Sequence, residues 1–279
     1  MREIDASYAY CKRVARTRAK NFYYSFLLLA EHQRKAMCAI YAFMRHADDL
    51  SDEPGATRAA LEEWRGELEA ALDGRFSGHP LWPAFHHTVR RFGIPHQYLR
   101  EMIDGVVSDL EPRRFPTFAE LYRYCYQVAA VVGLTTIYIF GFDTPSALPL
   151  AEKCGVAFQL TNILRDLRED AERGRLYLPI EDLERFGVAE EDLRAGNRTK
   201  QYYELMRFES RRARAFYEDS APLLDLIHPR SRPSLAALVT IYSRLLERIE
   251  QTNYDVFSRR VRLSALEKSW ILVRSLTLR

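Results

Sequence analysis

The rhythm of chain breakers most constrains what this sequence can fold into. Glycine and proline gather at Pro54-Gly55, Gly78 to Pro83, Gly93 to Pro95, Pro112 to Pro116, Gly141 to Pro149, Gly174 to Pro179 and Pro229 to Pro233. Between these points apolar residues recur at helical spacing. Tyr8, Cys11, Val14 and Ala15 share one face, with Asp5 or Ser7 as caps. Ala36, Met37, Ile40, Tyr41 and Met44 mark a long helix over 31–52, and Leu61, Trp64, Leu68 and Leu72 mark the next, ended by Gly74. No strand-like alternation is sustained. Ile137 to Phe142 is the one β-like stretch, and it is too short to decide. Neither a repeat nor a low-complexity linker interrupts the pattern. The expectation is an all-α, single-domain helical bundle spanning residues 1–279 around a central cavity.

The 279 residues carry a net charge of +3, too mild to imply nucleic acid. The positive charge is uneven. Arg211, Arg212 and Arg214 cluster, and Arg259, Arg260, Arg262, Lys268, Arg274 and Arg279 crowd the last stretch. These are either solvated helix faces or a weak attraction to anionic lipid. The four cysteines, Cys11, Cys38, Cys125 and Cys154, form no C-x-x-C pair, so reduced thiols in a cytosolic protein are expected. Val128 to Phe142 is nearly apolar but shorter than the roughly 20 residues of a membrane span, and it reads as a core helix. A cytoplasmic protein, peripheral to a membrane at most, is the expectation.

Asp48 and Asp52 are four residues apart, with Asp49 beside them. Their carboxylates therefore share one helix face one turn apart, an arrangement that costs a few tenths of a kcal/mol unless something compensates. Alone, such a pair is most simply a solvated helix end. A second copy changes the weighing. Asp166 and Asp170 repeat the spacing, and Asn162 shares their face. Two carboxylate rows facing across an apolar cavity are costly without cations. Mg²⁺ suits them, since it takes oxygen ligands and is usually shared with substrate phosphates. Arg45, Arg165, Arg173 and Arg175 are close in sequence, and guanidinium groups suit phosphate, though each could instead pair with a neighbouring Asp; Arg18 and Lys20 in the N-terminal segment add donors of the same kind.

With these residues in hand, the chain resembles the squalene/phytoene synthase family. The stretch from Tyr41 through Arg45 and Asp48 to Asp52 is similar to the family's first Asp motif. Gln159 to Asp170, followed by Arg173-Gly-Arg-Leu-Tyr177-Leu-Pro179, is similar to the second and is the most specific match. Tyr122 to Gly133 resembles the central core helix, and Tyr242 to Arg260 the C-terminal one. The resemblance implies three Mg²⁺ ions and two allylic prenyl diphosphates. It gives Asp48, Asp52, Asp166 and Asp170 metal-binding roles, with Asn162 a further ligand. Lys20, Tyr41, Arg45, Gln159, Arg165, Tyr242 and Arg259 fall where the family contacts diphosphate, with Arg18, Asn21 and Tyr177 beside them. Tyr124 falls near the reacting carbons. The chain departs from the family where Ala19 and Asn21 flank Lys20, since many members carry serines there and Ala19 cannot donate a hydrogen bond.

The implied reaction is head-to-head condensation, in which one prenyl diphosphate ionises and the double bond of the second attacks the cation. Apolar walls must exclude water, and Phe22, Phe26, Val128, Ala129, Val132, Gly133 and Leu160 are candidates. Phe140-Gly141 and Tyr254 to Arg259 lean toward farnesyl (C15) substrates and a presqualene diphosphate or squalene product, with NADPH if reduction follows. Geranylgeranyl (C20) substrates and phytoene are the alternative. Phe22, Phe26, Leu29, Met37 and Tyr41 are the side chains large enough to close the tunnel at C15 length. A terpene cyclase, a chain-elongating prenyltransferase and a non-catalytic lipid-binding helical scaffold are the rival readings.

Overall fold

The structure, a computed structural model, describes residues 2–19, 22–52, 57–76, 78–110 and 113–278. The described chain is helical throughout. In order it runs α1 (Arg2–Arg18), α2 (Phe22–Phe26), α3 (Glu31–Asp52), α4 (Arg58–Leu72), α5 (Trp82–Phe92), α6 (His96–Ser108) and α7 (Phe118–Cys125). A π-turn over Tyr126–Ala130 joins α7 to α8 (Val131–Phe140). Then follow α9 (Ala147–Glu172), α10 (Ile180–Phe186), α11 (Glu190–Ala195), α12 (Lys200–Ser220), α13 (Leu223–Leu226), α14 (Arg232–Gln251) and α15 (Ala265–Ser275). The β-like stretch is the end of α8, and Phe142 just beyond it makes an isolated antiparallel bridge to Ile227. Among the described residues no helix is long and apolar enough to cross a membrane.

Composition decides which helices lie inside. Along α3 Ala36, Met37, Cys38, Ala39, Ile40, Ala42 and Phe43 are all buried, so this helix is central rather than one-sided. The apolar α8 is buried in the same way. Side-chain caps set several starts, Thr57 for α4, Thr117 for α7 and Thr199 for α12. At α15 a full capping box forms: Ser264 Oγ accepts from Glu267 N and Glu267 Oε2 accepts from Ser264 N. Asp5 and Ser7 cap nothing, because α1 begins upstream of both. Instead Ser7 Oγ accepts from Ala84 N at 2.9 Å and ties α1 to α5. The four cysteines are buried free thiols.

Two glycines let α9 press backbone to backbone against the π-turn and α8. A Cβ on Gly155 would stand 2.6 Å from Ala130 Cα, and one on Gly133 would stand 3.0 Å from the Ala151 carbonyl oxygen. From the other side, a Cβ on Gly105 of α6 would meet the Gln127 carbonyl at 2.9 Å. The π-turn is thus clamped between α6 and α9. Gly155→Ala is therefore expected to destabilise the fold by about 1–3 kcal/mol, although alanine is by itself the better helix former by up to about 1 kcal/mol. Urea unfolding of the two proteins checks this, and an equal or higher midpoint for the variant contradicts the close packing.

Candidate active site

Helices α3 and α9 each turn one face toward a single cavity of about 470 Å³; Asp48 lies on its wall, while Asp166 and Asp170 lie beyond the lining, past Arg165. From α3 come Tyr41, Met44 and Asp48; from α9 come Ala151, Cys154, Gly155, Phe158, Gln159, Asn162 and Arg165. Each set recurs every three or four residues, which is one face of a helix. The α9 face grades from apolar to polar over about 21 Å of helix axis, at 1.5 Å per residue. Its apolar end meets Thr136 and Ile137 of α8 and Leu235 and Leu238 of α14. Its polar end meets Asp48, Arg18, and the Arg260 to Leu263 segment with Lys268. Midway, Tyr242 of α14 stacks on Phe158 at 4.3 Å between ring centroids, and Phe22 lies against Tyr242 at 5.8 Å.

The polar end is held by paired charges. Asp166 accepts from Arg165 Nε at 2.9 Å and from Arg260 Nη2 at 2.9 Å, and Arg260 also reaches Glu169 at 3.1 Å. Arg45 pairs with Asp49 one turn away, the simpler of its two expected roles. Asn162 donates to Gln159 Oε1 at 3.3 Å, while its own Oδ1 is buried with no partner. The Asp170 carboxyl is pushed up to about 7, first by burial and then by the Asp166 charge, with Arg175 and Arg173 pulling the other way.

That shift has a sign. The folded chain holds the Asp170 proton more tightly than the unfolded chain, whose ordinary value is 3.8. Its contribution to stability is full below that value and is lost as pH rises through about 7. Without divalent cations, wild type is expected to lose stability relative to Asp170→Asn between about pH 5 and pH 8. Mg²⁺ with pyrophosphate should abolish that loss. Denaturant titrations at both pH values check it: parallel curves without cations would show that the Asp170 carboxyl is not pushed up, and a loss that persists with Mg²⁺ and pyrophosphate would remove Asp170 from the cation site.

Several sequence expectations change here. Lys20, Asn21 and the Asp52 side chain lie outside the described residues. Arg259 is exposed and does not line the cavity; its neighbour Arg260 reaches Asp166 instead. Tyr124 is buried away from the cavity wall. Its hydroxyl donates to Asp109 Oδ2 at 3.3 Å, and its ring stacks on Tyr177 at 5.2 Å, so Tyr177 belongs to that cluster and not to the wall. Burial, then Asp109, holds the Tyr124 hydroxyl well above its ordinary pKa. Phe22, Val128, Ala129, Val132 and Gly133 line the cavity as expected. Phe26, Leu29, Met37 and Leu160 are packed core outside the wall. Arg260, Arg262, Lys268, Phe158 and Asp109 are the residues sequence reasoning missed in these roles.

A hard cation fits these donors. They are oxygens, and the orphaned Asn162 Oδ1 sits one turn before Asp166 and two before Asp170. Among the described residues no three Asp, Glu, His or Cys side chains converge into a complete metal site. A cation shared with substrate phosphate has no need of one.

The fold and site define an all-helical protein whose cavity grades from a cationic mouth to an apolar end. A family model described as squalene/phytoene synthase matches residues 9–267, and the chain belongs to that family. It is a prenyltransferase, of a family that uses divalent metal to ionise prenyl diphosphates. The chain is 38% identical over 277 residues to phytoene synthase 1 of Arabidopsis thaliana, covering 95% of this chain and 65% of that protein, just under two thirds. It is 39% identical over 275 residues to 15-cis-phytoene synthase of Synechocystis, covering 92% and 80%. The crystal structure of a dehydrosqualene synthase in complex with ligand superposes with a TM-score of 0.92 at 31% identity, covering 99% and 97% of the two chains.

These relatives overturn the farnesyl reading. The proteins 38–39% identical over most of the chain are phytoene synthases. The residues that leaned toward C15 do not touch the cavity. Phe140 is core, Gly141 packs beside His228, and Tyr254 to Arg259 lie outside the wall. They cannot measure a substrate's length.

Proposed function

We propose that this chain condenses two geranylgeranyl diphosphates head-to-head to phytoene with Mg²⁺. The observation that carries the proposal is the α9 wall, which runs from Arg165 and Asn162 at a cationic mouth to Cys154 and Ala151 at an apolar end. Relatives named phytoene synthase supply the chain length. Asp48, Asp52, Asn162, Asp166 and Asp170 would hold Mg²⁺, and bound there it would neutralise charge on the departing diphosphate.

The chain's own residues do the rest. Arg18, Arg165, Arg260, Arg262 and Lys268 line the mouth and hold the diphosphates. As the first C1–O bond breaks, diphosphate takes the electron pair and an allylic cation remains. The faces of Phe22, Phe158 and Tyr242 stabilise that cation, and the apolar wall keeps water from it. The double bond of the second substrate attacks it, a proton leaves and a cyclopropane closes. Loss of the second diphosphate, rearrangement and loss of a second proton give the hydrocarbon. Each step ends in proton loss, so no reductant is required, and the NADPH expected for a squalene product has no part. Tyr124 is not the base, since it lies off the wall with its hydroxyl held protonated. Released diphosphate accepts the proton.

The test is incubation with geranylgeranyl or farnesyl diphosphate, with Mg²⁺ or EDTA, and without NADPH, in detergent. A C40 hydrocarbon that forms only with Mg²⁺ is expected. A one-chain cyclised product, a head-to-tail diphosphate or no diphosphate release would each replace this reading with one of its rivals.

A further inference from the structure

The residues of α15 divide between an inward and an outward face. At 100° per residue, Glu267, Ile271 and Ser275 fall on one side and Leu266, Trp270 and Val273 on the other. The first stripe packs inward, with Ile271 and Ser275 buried. The second stands out in solvent: Leu266 is 83% exposed, Trp270 66% and Val273 58%. Leu276, in the turn that follows, is exposed as well. So is Leu27, which follows α2, a helix packed against α15. Elsewhere among the described residues, Phe76 is the one further large apolar side chain standing out to this degree. Scattered exposed leucines need no explanation, but a row containing a tryptophan does.

Charge and position indicate what covers the row. In the groove between α14 and α15, Arg244 pairs with Glu247 and Arg248 with Glu267, so the excess positive charge is that of Arg274, and Trp270 stands on the groove's edge. A tryptophan in an exposed apolar row with an arginine beside it is the composition of a helix lying in a membrane interface. The helix also adjoins the catalytic cavity, because Leu263 and Lys268, just before and within α15, line its mouth. The basic cluster at Arg211 to Arg214 is a poorer candidate. No large apolar side chain of α12 stands out in solvent beside it.

We propose that the outward face of α15, with Leu266, Trp270 and Val273 as its apolar contacts, docks on an anionic lipid surface and sets the cavity mouth against it. Its purpose rests on the proposed product, a hydrocarbon with no polar group, which water does not take up; the docking itself does not depend on that reaction.

The chain carries its own probe. Of its three tryptophans, Trp64 and Trp82 are buried, so an emission change on adding lipid reports Trp270. Full-length protein is titrated with vesicles of phosphatidylcholine, alone or with about a quarter phosphatidylglycerol, at low and high salt. A blue shift is expected with the mixed vesicles, weakened by salt and by Arg274→Gln. In co-sedimentation, the triple variant Leu266→Ser, Trp270→Ser, Val273→Ser is expected to partition at least about tenfold less, while diphosphate release in detergent stays at the wild-type rate. No shift with mixed vesicles at low salt, or wild-type partitioning by the triple variant, overturns the proposal. A lipid-free blue shift that grows with protein concentration, with a doubled sedimenting mass, also overturns it and gives the face to a second copy of the chain. Vesicle binding without hydrocarbon formation from the C20 substrate would sink the proposed reaction and leave the docking face standing.

Discussion

Asp48→Asn is expected to lower turnover at least about a hundredfold and to leave the fold intact. Asn keeps the shape and one carbonyl oxygen but removes the charge. A hundredfold corresponds to about 2.7 kcal/mol of lost transition-state stabilisation, a modest demand for one ligand of a cation facing a departing diphosphate. Asp48 faces the cavity from α3, opposite the Asn162 and Arg165 face of α9. Its loss leaves a mouth lined by five cationic side chains with less opposing charge, so diphosphate should still bind while Mg²⁺ binds worse. The signature is a fall in kcat with a rise in the Mg²⁺ concentration for half activity, at an unchanged melting temperature. Asp49→Asn is the control. Its carboxylate is engaged by Arg45, and its removal should cost far less turnover. Asp166→Asn should match Asp48→Asn, since it also strips the partner from Arg165 and Arg260. Near-normal turnover in folded Asp48→Asn protein would sink the metal assignment.

The residues behind that prediction were legible because a carboxylate pair four apart has a single geometric meaning on a helix. The same spacing put Asn162 on the face of Asp166, the family resemblance added Gln159, Arg165 and Tyr41, and the structure brings these four and Asp48 to one cavity. The resemblance fitted less well where the helical phase breaks. The π-turn at Tyr126–Ala130 inserts an extra residue between α7 and α8. Tyr124, placed near the reacting carbons by the family resemblance alone, lies before that turn and packs against Asp109 and Tyr177, whereas Val128 within the turn meets the cavity. In α2, Phe22 and Phe26 lie one turn apart, yet Phe22 faces Tyr242 across the cavity while Phe26 packs against Tyr23 in the core. Periodicity marks an apolar residue as inward but does not distinguish a packed interior from a tunnel. Arg260 was missed for a third reason. It lies past the end of α14, where the positive φ of Asn253 and Tyr254 turns the chain and no helical register exists to read. Asp109 follows α6 in the same irregular way, and only the tyrosines above it reveal its place.

Because Phe26 is core, the residue that limits substrate length must be sought at the far end of the α9 wall, and Cys154→Phe is expected to turn the enzyme against the C20 substrate. Cys154 lines the cavity eight residues from Asn162, about 12 Å along the axis at 1.5 Å per residue. Ala151, Ile137, Leu235 and Leu238 line the same cavity, burial pushes the Cys154 thiol up to about 12 against a hydrogen bond from Ser220, and the wild-type side chain is small. A phenyl ring there would take space that the last isoprene unit needs. Five carbons at about 0.8 kcal/mol each make that unit worth up to about 4 kcal/mol, and a chain that bends aside keeps part of it. The ratio of kcat/KM for geranylgeranyl over farnesyl diphosphate should therefore fall about a hundredfold. The ring could instead rotate into the surrounding core. It would then cost about 1–3 kcal/mol of stability and slow both substrates alike. Cys154→Ala separates the two cases: it lengthens nothing and should leave the ratio where wild type has it. Measuring both substrates in wild type, Cys154→Phe and Cys154→Ala decides the matter. A folded Cys154→Phe protein with the wild-type ratio would move the tunnel's end away from α9, and attention would pass to Ile137 and Leu235, which close the same end from α8 and α14.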